Sequence, residues 1–138
     1  MARIILEALL EWFQKSKARE KYIAASTNKI FFGAYDKERP VGFLYLKETS
    51  KDTVELYVMG VLKDYQRQGI GRNLFQSAVL AVREMGFSFI QVKTVQMGKY
   101  EQYDRTNKFY LSLGFKEFEV FPTLWSKRNP CQIYIMRL

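Results

Sequence analysis

One segment, residues 65–72, constrains the fold of this chain more than any other part of it. The segment reads Tyr-Gln-Arg-Gln-Gly-Ile-Gly-Arg. Residues 54–62 before it are rich in β-branched and aromatic side chains, which predicts a strand, and apolar residues after it recur at helical spacing from Ile70 to a stop at Gly86. A short glycine-bearing turn at a helix N-terminus presents unpaired backbone amides, which suit a phosphate or pyrophosphate.

Two common nucleotide motifs do not fit this segment. The dinucleotide fingerprint requires Gly or Ala three residues after Gly71, where the chain has Leu74. The Walker motif requires Lys followed by Ser or Thr, where the chain has Arg-Asn. What remains is Q-x-x-G-x-G, with its fixed positions at Gln66, Gly69 and Gly71. Taken alone, this pattern leaves open both an anion site and a turn that only changes the direction of the chain.

A second motif at residues 109–115 makes the interpretation more specific. It reads Phe-Tyr-Leu-Ser-Leu-Gly-Phe. The two motifs, in this order and separation, resemble those of the GCN5-related N-acetyltransferase (GNAT) superfamily. The first is similar to the family's acyl-CoA pyrophosphate loop, and the second to its FYxxxGF helix, whose Tyr lies near the thioester sulfur. Residues 121–125 and 129–131 resemble a segment found in a group of small bacterial GNAT proteins.

The resemblance implies an α/β fold built on a mixed, mostly antiparallel twisted sheet with helices on both faces. Two central parallel strands are expected to splay apart, and acetyl-CoA would enter between them. The patterns along the chain predict the order ααβββαβαββ in a single domain, residues 1–138. They also predict a hairpin turn at 36–40, a loop at 96–103 and a helix from about 105 to 113. The first helical pattern begins almost at Met1, so the family's first edge strand is expected to be short or missing.

The resemblance also implies roles for individual residues. Tyr110 corresponds to the acid that protonates the departing thiolate, although helical aromatic residues also commonly pack in a core. The oxyanion donor would be a backbone N–H at Val61 or its neighbour. The family's Asn seven residues before the Tyr is Tyr103 here, so Asn107 is given a secondary role on the cofactor side. The predicted cofactor-binding set is Val61, Gln66, Arg67, Gln68, Gly69, Ile70, Gly71, Arg72, Asn107 and Tyr110.

One acidic residue, Glu55, is the candidate for the general base. Glu55 is the only acid in the strand 54–62. Strand alternation places it on the same face as Tyr57, Met59 and Val61. A carboxylate there could take the proton of an attacking amine, directly or through water. An exposed acid at the start of a strand would give the same sequence pattern, so both interpretations stay open.

Composition excludes several classes of site. The chain has no His, so Ser-His-Asp and Cys-His catalysis and His-based zinc sites are impossible, and we expect no metal. The single cysteine, Cys131, cannot form an internal disulfide. There is neither a signal-peptide pattern nor an apolar run long enough to span a bilayer, so we expect a cytoplasmic protein without membrane association.

A net charge of +8 raises the question of nucleic-acid binding. The basic residues are spread along the chain and broken by acids, and no nucleic-acid motif is present. We therefore expect no nucleic-acid partner, and a basic surface would instead help to capture the phosphates of CoA.

These observations predict an acyltransferase. The chain would move an acetyl group from acetyl-CoA to a primary amine of a small molecule or peptide, by direct attack without a covalent enzyme intermediate. A homodimer is compatible with the resemblance. The alternative is an acyl-CoA-binding regulatory module without transferase activity, because the sequence supports the CoA loop better than the base.

Overall fold

The computed structural model describes residues 30–138. The two helical patterns predicted before residue 30, and the question of a missing first strand, lie outside the described residues. The described part contains strands and helices in the following order: β1 (Ile30–Asp36), β2 (Arg39–Glu48), β3 (Thr53–Val61), α1 (Ile70–Glu84), β4 (Phe89–Val95), α2 (Glu101–Leu113), β5 (Lys116–Phe121) and β6 (Cys131–Arg137). A short 3-10 turn, Lys63–Tyr65, lies between β3 and α1.

The six strands form one mixed sheet in the order β1-β2-β3-β4-β6-β5. The β3–β4 pair is parallel, whereas β1–β2, β4–β6 and β5–β6 are antiparallel. This confirms the predicted α/β class and the mixed sheet. The described residues divide into two compact units, residues 30–47 with 56–85 and residues 48–55 with 86–138.

The first unit is built on the hairpin of β1 and β2. Its turn is shorter than the predicted 36–40, because Asp36 and Arg39 already pair across the strands and only residues 37–38 form the turn. Lys37 adopts a positive φ of 57°, which closes this tight connection. One cluster of its buried residues consists of Val41, Phe43, Tyr45, Val58 and Leu62.

Helix α1 has the predicted ends. It begins after Gly69, which has a φ of +83°, and it ends at Glu84, with Met85 as its C-cap just before Gly86, which has a φ of +92°. Its buried face consists of Leu74, Phe75, Ala78 and Val82. A Cβ added at Gly42 of β2 would lie only 3.2 Å from Ile70 and 3.3 Å from Leu74. The absence of a side chain at Gly42 therefore lets the first turn of α1 lie close to β2, which helps to fix the preceding loop.

In the second unit, β6 lies between β4 and β5, and α2 contacts β4. Gly114 ends α2 with a φ of +107°, and the amides of Gly114 and Phe115 donate to the carbonyls of Leu111 and Tyr110. This confirms the predicted stop at Gly114.

The predicted loop at 96–103 is wrong at its end, because α2 already begins at Glu101. Two acidic residues, Glu101 and Asp104, lie in the first turn. Their negative charges stabilise the helix because they interact favourably with the positive end of its dipole. The Asp104 carboxylate also accepts a hydrogen bond from the Gly98 amide at 2.7 Å. These contacts begin the helix one turn earlier than the apolar periodicity indicates.

The parallel ladder between β3 and β4 is short. It comprises three pairs in the described residues, from Thr53↔Phe89 to Glu55↔Gln91. Both strands continue beyond the last pair, β3 to Val61 and β4 to Val95. Glu55 is therefore the last residue of β3 that pairs with β4.

Candidate active site

The loop between β3 and α1 presents a series of unpaired backbone amides. In the described part of the chain, the amides of residues 67–69 donate no backbone hydrogen bond. The amides of Ile70 and Gly71 belong to the first helical turn, where no intrahelical acceptor exists. Gln66 differs, because its amide donates to the Lys63 carbonyl at 3.3 Å. Within residues 30–138, the amides without a backbone acceptor therefore run from residue 67 to residue 71.

The shape of this loop depends on two residues with left-handed backbone conformations. Gly69 has a φ of +83° and Arg67 a φ of +64°. A non-glycine residue in this region costs roughly 1–2 kcal/mol, so the strain at Arg67 is held by the surrounding contacts. A Cβ added at Gly69 would meet no atom within 4 Å, so the space beside the loop is open. An anion placed there would meet amides and no competing side chain from the described residues.

Side chains of the loop stabilise it from within. Gln66 Nε2 donates to the Val61 carbonyl at 2.9 Å, and Gln68 Nε2 donates to the Asp64 carbonyl at 3.1 Å. The side-chain amides of both residues therefore bind carbonyls of the loop itself. The groups that remain for a ligand in this segment are mainly backbone amides. Arg67 and Arg72 have exposed side chains, which place positive charge at the same turn.

Tyr65 ties the loop to the β1–β2 hairpin, a contact that the sequence did not reveal. Its hydroxyl donates to Asp36 Oδ2 at 2.7 Å, and the Arg39 guanidinium lies 5.7 Å from the centre of its ring. The hydrogen bond to Asp36 raises the pKa of Tyr65, so the hydroxyl stays a donor at neutral pH. Only the pairing of residues 36 and 39 across the hairpin brings these groups together.

Glu55 is buried, so it is not the exposed acid at the start of a strand that the sequence left open as one interpretation. It is 6% exposed, and its Oε1 lies 3.2 Å from Lys93 Nζ. Lys93 was missed by the sequence analysis, although a lysine in the middle of a strand that reads as buried is a signal of a paired charge. The carboxylate and the ammonium together form an ion pair at the end of the β3–β4 ladder.

Cys131 lies close enough to this ion pair to respond to both charges. Burial raises the pKa of the Cys131 thiol, while Lys93 lowers it and Glu55 raises it. A protonated, fully buried thiol is a poor nucleophile. Cys131 is therefore not a candidate for covalent catalysis.

Tyr110 is buried among aromatic rings of α2, β6 and the residue after Gly114. Its ring centre lies 5.9 Å from that of Phe115 and 6.3 Å from that of Tyr134. Burial raises the pKa of Tyr110, with a further contribution from Tyr103. The hydroxyl therefore stays protonated at neutral pH, as a proton donor must, while the ring also serves the core.

Asn107 has a structural role in this geometry. It is completely buried, and its Nδ2 donates to the carbonyls of Val95 at 2.9 Å and Tyr103 at 2.6 Å. Its Oδ1 accepts from the Tyr134 hydroxyl at 2.6 Å. These bonds join α2 to β4 and β6 and leave no polar atom of the side chain to face a ligand. The predicted cofactor-side role of Asn107 therefore does not fit the structure.

Residues 30–138 contain no group of three or more His, Cys, Asp or Glu side chains that could hold a metal ion. No helix in this part of the chain is both long and apolar enough to cross a membrane.

Comparison with solved structures places this fold among acetyltransferases. An aminoglycoside 6'-N-acetyltransferase complexed with coenzyme A superposes with a TM-score of 0.79 at 17% identity, covering 96% of this chain and 88% of that one. An IAA acetyltransferase from Bacillus cereus gives 0.73 at 23% identity, with 86% and 85% covered. A GNAT family acetyltransferase from Elizabethkingia anophelis with acetyl-CoA bound gives 0.71 at 17% identity, with 91% and 84% covered. No curated protein sequence matches the chain.

The family follows from the sequence match together with this fold. The family model of the acetyltransferase (GNAT) domain matches residues 27–117, which include the amide loop, Glu55 and Tyr110. The chain therefore belongs to the GNAT family, and its class of enzyme is acyltransferase.

Proposed function

We propose that this protein is an N-acetyltransferase that transfers the acetyl group of acetyl-CoA to a primary amine of a small molecule or peptide. The observation that carries the proposal is the run of amides at residues 67–71 that find no backbone acceptor in the described part of the chain, beside open space at Gly69. Such a turn at the positive end of a helix suits the diphosphate of CoA. Binding of CoA or acetyl-CoA by the structural neighbours supports the same assignment.

In this proposal each residue of the site has a defined chemical task. The loop amides, with the charges of Arg67 and Arg72, bind the diphosphate. Glu55 removes the proton from the acceptor ammonium, because only the neutral amine has a lone pair for attack. A backbone N–H at Val61 or its neighbour stabilises the oxyanion as the C–N bond forms.

Collapse of the tetrahedral intermediate breaks the C–S bond and requires a proton for the thiolate. We assign this proton to the hydroxyl of Tyr110, which is protonated at neutral pH because a tyrosine titrates at about pH 10. As the amide forms, the nitrogen loses its second proton, which restores the Tyr110 hydroxyl, and Glu55 releases its proton to solvent. The products are an N-acetyl amine and free CoA, and no covalent enzyme intermediate forms. We place this activity in the cytoplasm, where the single thiol would stay reduced, and propose no nucleic-acid partner.

The first experiment is a panel of amines assayed for release of CoA, with and without each acceptor. Tyr110→Phe should lower kcat about 100-fold for any acceptor that reacts, because one general acid contributes at least that much. The dissociation constant of CoA should not change. Tyr35→Phe, at a tyrosine that is 61% exposed, is the matched control and should keep full activity. Equal turnover in Tyr110→Phe and the unchanged protein would remove Tyr110 from the mechanism.

One observation favours a second candidate, an acyl-CoA-binding regulatory module. The carboxylate proposed as the base already contacts the Lys93 ammonium at 3.2 Å, so the place that an acceptor amine would take beside it is occupied. Such a module would bind acetyl-CoA in calorimetry but release no CoA with any amine. Turnover with even one acceptor excludes this candidate.

A further inference from the structure

The ion pair of Glu55 and Lys93 is unusual for its position. The Glu55 side chain is 8% exposed, and the Lys93 side chain is 30% exposed. Ion pairs on protein surfaces join two solvated side chains, whereas here an amine from β4 has been brought to a buried carboxylate of β3. Lys93 nevertheless keeps enough exposure to be reached by a reagent.

The strand register explains how the two groups meet. Glu55 pairs with Gln91 in the last step of the parallel ladder. Lys93 lies two residues further along β4, so its side chain is on the same face as that of Gln91. The ladder ends at Gln91, and Lys93 is therefore the first residue on this face of β4 beyond the last backbone pair with β3.

The Lys93 amine occupies the position that an acceptor amine would need to take beside Glu55. Any acceptor amine must come within reach of the carboxylate that removes its proton. The Lys93 amine is already at that distance, 3.2 Å from Glu55 Oε1. It also carries the functional group of the proposed acceptors, a primary amine on a flexible chain.

We propose that Lys93 is a site of self-acetylation, at which the protein transfers the acetyl group of acetyl-CoA to its own Nζ. This inference rests on the proposed function. Glu55 takes one proton from the ammonium, and the neutral Nζ forms a bond to the acetyl carbonyl carbon. The C–S bond breaks, and the second Nζ proton, which is lost as the amide forms, passes to the thiolate to give free CoA, while Glu55 releases its proton to solvent. The products are Nε-acetyl-lysine at position 93 and one CoA for each chain.

Acetylation would change the site that performs it. An acetylated lysine has no positive charge, so its attraction to Glu55 is lost. The carboxylate would then be free for the ammonium of another acceptor. The ion pair with Lys93 would therefore keep other amines away from the Glu55 carboxylate until Lys93 itself has been acetylated.

The test uses the full chain incubated with isotope-labelled acetyl-CoA, followed by mass spectrometry of its peptides over time. Lys93 should become labelled before exposed lysines such as Lys51, Lys63 and Lys99, although simple chemical acetylation would favour the exposed ones. Its rate constant should not depend on protein concentration, because the transfer is intramolecular. Lys93→Arg should remove the label, whereas Lys99→Arg, at an exposed position, should not.

Two changes at the carboxylate separate catalysis from simple exposure. Glu55→Gln should lower the rate at Lys93 about 100-fold, the size expected for loss of a general base. Glu55→Asp retains the charge but withdraws it by one methylene, so its rate should be intermediate. Thermal unfolding verifies that both variants fold, and acetic anhydride, which needs no enzymatic base, should label Lys93 in folded Glu55→Gln.

The outcomes distinguish this inference from the proposed function. Labelling of exposed lysines before Lys93, or an unchanged rate in folded Glu55→Gln, would overturn the inference. A protein that binds CoA and acetylates an added amine but leaves Lys93 unlabelled contradicts the inference alone. A protein that binds no CoA contradicts both.

Discussion

Replacing Gly69 by Ala tests the amide loop with the smallest possible change. Gly69 precedes α1 and has a φ of +83°, and a Cβ added there meets no atom within 4 Å. The added methyl group therefore has no steric conflict with the described residues. It has two separate effects. It strains the backbone of the free protein, and it obstructs the space proposed for the diphosphate.

The two effects have different sizes. An alanine in the left-handed region costs roughly 1–2 kcal/mol, which should appear as a lower free energy of unfolding in urea. A hydrogen bond to a charged group contributes about 1.5–3 kcal/mol, and 1.4 kcal/mol corresponds to a factor of ten in affinity. Loss of one amide contact to the diphosphate should therefore weaken CoA binding by about 10-fold to 100-fold. Isothermal calorimetry with CoA measures this directly.

Gly86 offers a matched control for the strain. It has a φ of +92°, a Cβ there also meets nothing within 4 Å, and it lies after the opposite end of α1. Gly86→Ala should lose the same 1–2 kcal/mol of stability while keeping its affinity for CoA. If Gly69→Ala bound CoA as tightly as Gly86→Ala, the loop would not be the diphosphate site, and the central argument for function would fail.

Three further changes test other parts of the structure. Tyr65→Phe removes the bond from the loop to the β1–β2 hairpin and should weaken CoA binding about threefold in calorimetry, with exposed Tyr35→Phe unchanged; equal affinities would separate the hairpin from the site. Asn107→Leu leaves a buried hydroxyl and a buried carbonyl unpaired and should lower the free energy of unfolding by about 3 kcal/mol in urea; a loss under about 1 kcal/mol would contradict the network. Burial raises the pKa of Tyr110, so above pH of about 10 the folded chain keeps a proton that the unfolded chain releases, and stability should fall as pH rises. Urea unfolding at pH 9 and 11 should show a smaller fall in Tyr110→Phe, and identical falls would argue against a raised pKa.

The helix ends that glycines determine locally could be predicted from the sequence. The start of α1 at Gly69 and the end of α2 at Gly114 follow from glycines that the structure places at positive φ. The start of α2 was misplaced because the tyrosines of residues 100–103 break the apolar periodicity. Its capping contact, from the Gly98 amide to Asp104, is visible only when both ends of the segment are in place.

The electrostatics of the candidate site depend on pairings between distant segments. Glu55 and Lys93 meet through the parallel register of β3 and β4, which no local pattern reveals. Asn107 gives a similar lesson, because its position next to the motif suggests a ligand contact whereas its partners belong to β4, α2 and β6. In each case residue type indicated a polar role, and tertiary packing decided which one.

The position of β6 between β4 and β5 also affects how the chain can acquire its structure during synthesis. Residues 131–137 emerge from the ribosome after both strands that they join. Until then, the edges of β4 and β5 that pair with β6 have no hydrogen-bonding partner. The pairing of β4 with β6 joins segments that are distant in sequence, which slows folding, and an open strand edge invites pairing with other chains. The second unit is therefore expected to depend on chaperones until β6 has been made, and premature termination before Cys131 should yield aggregates.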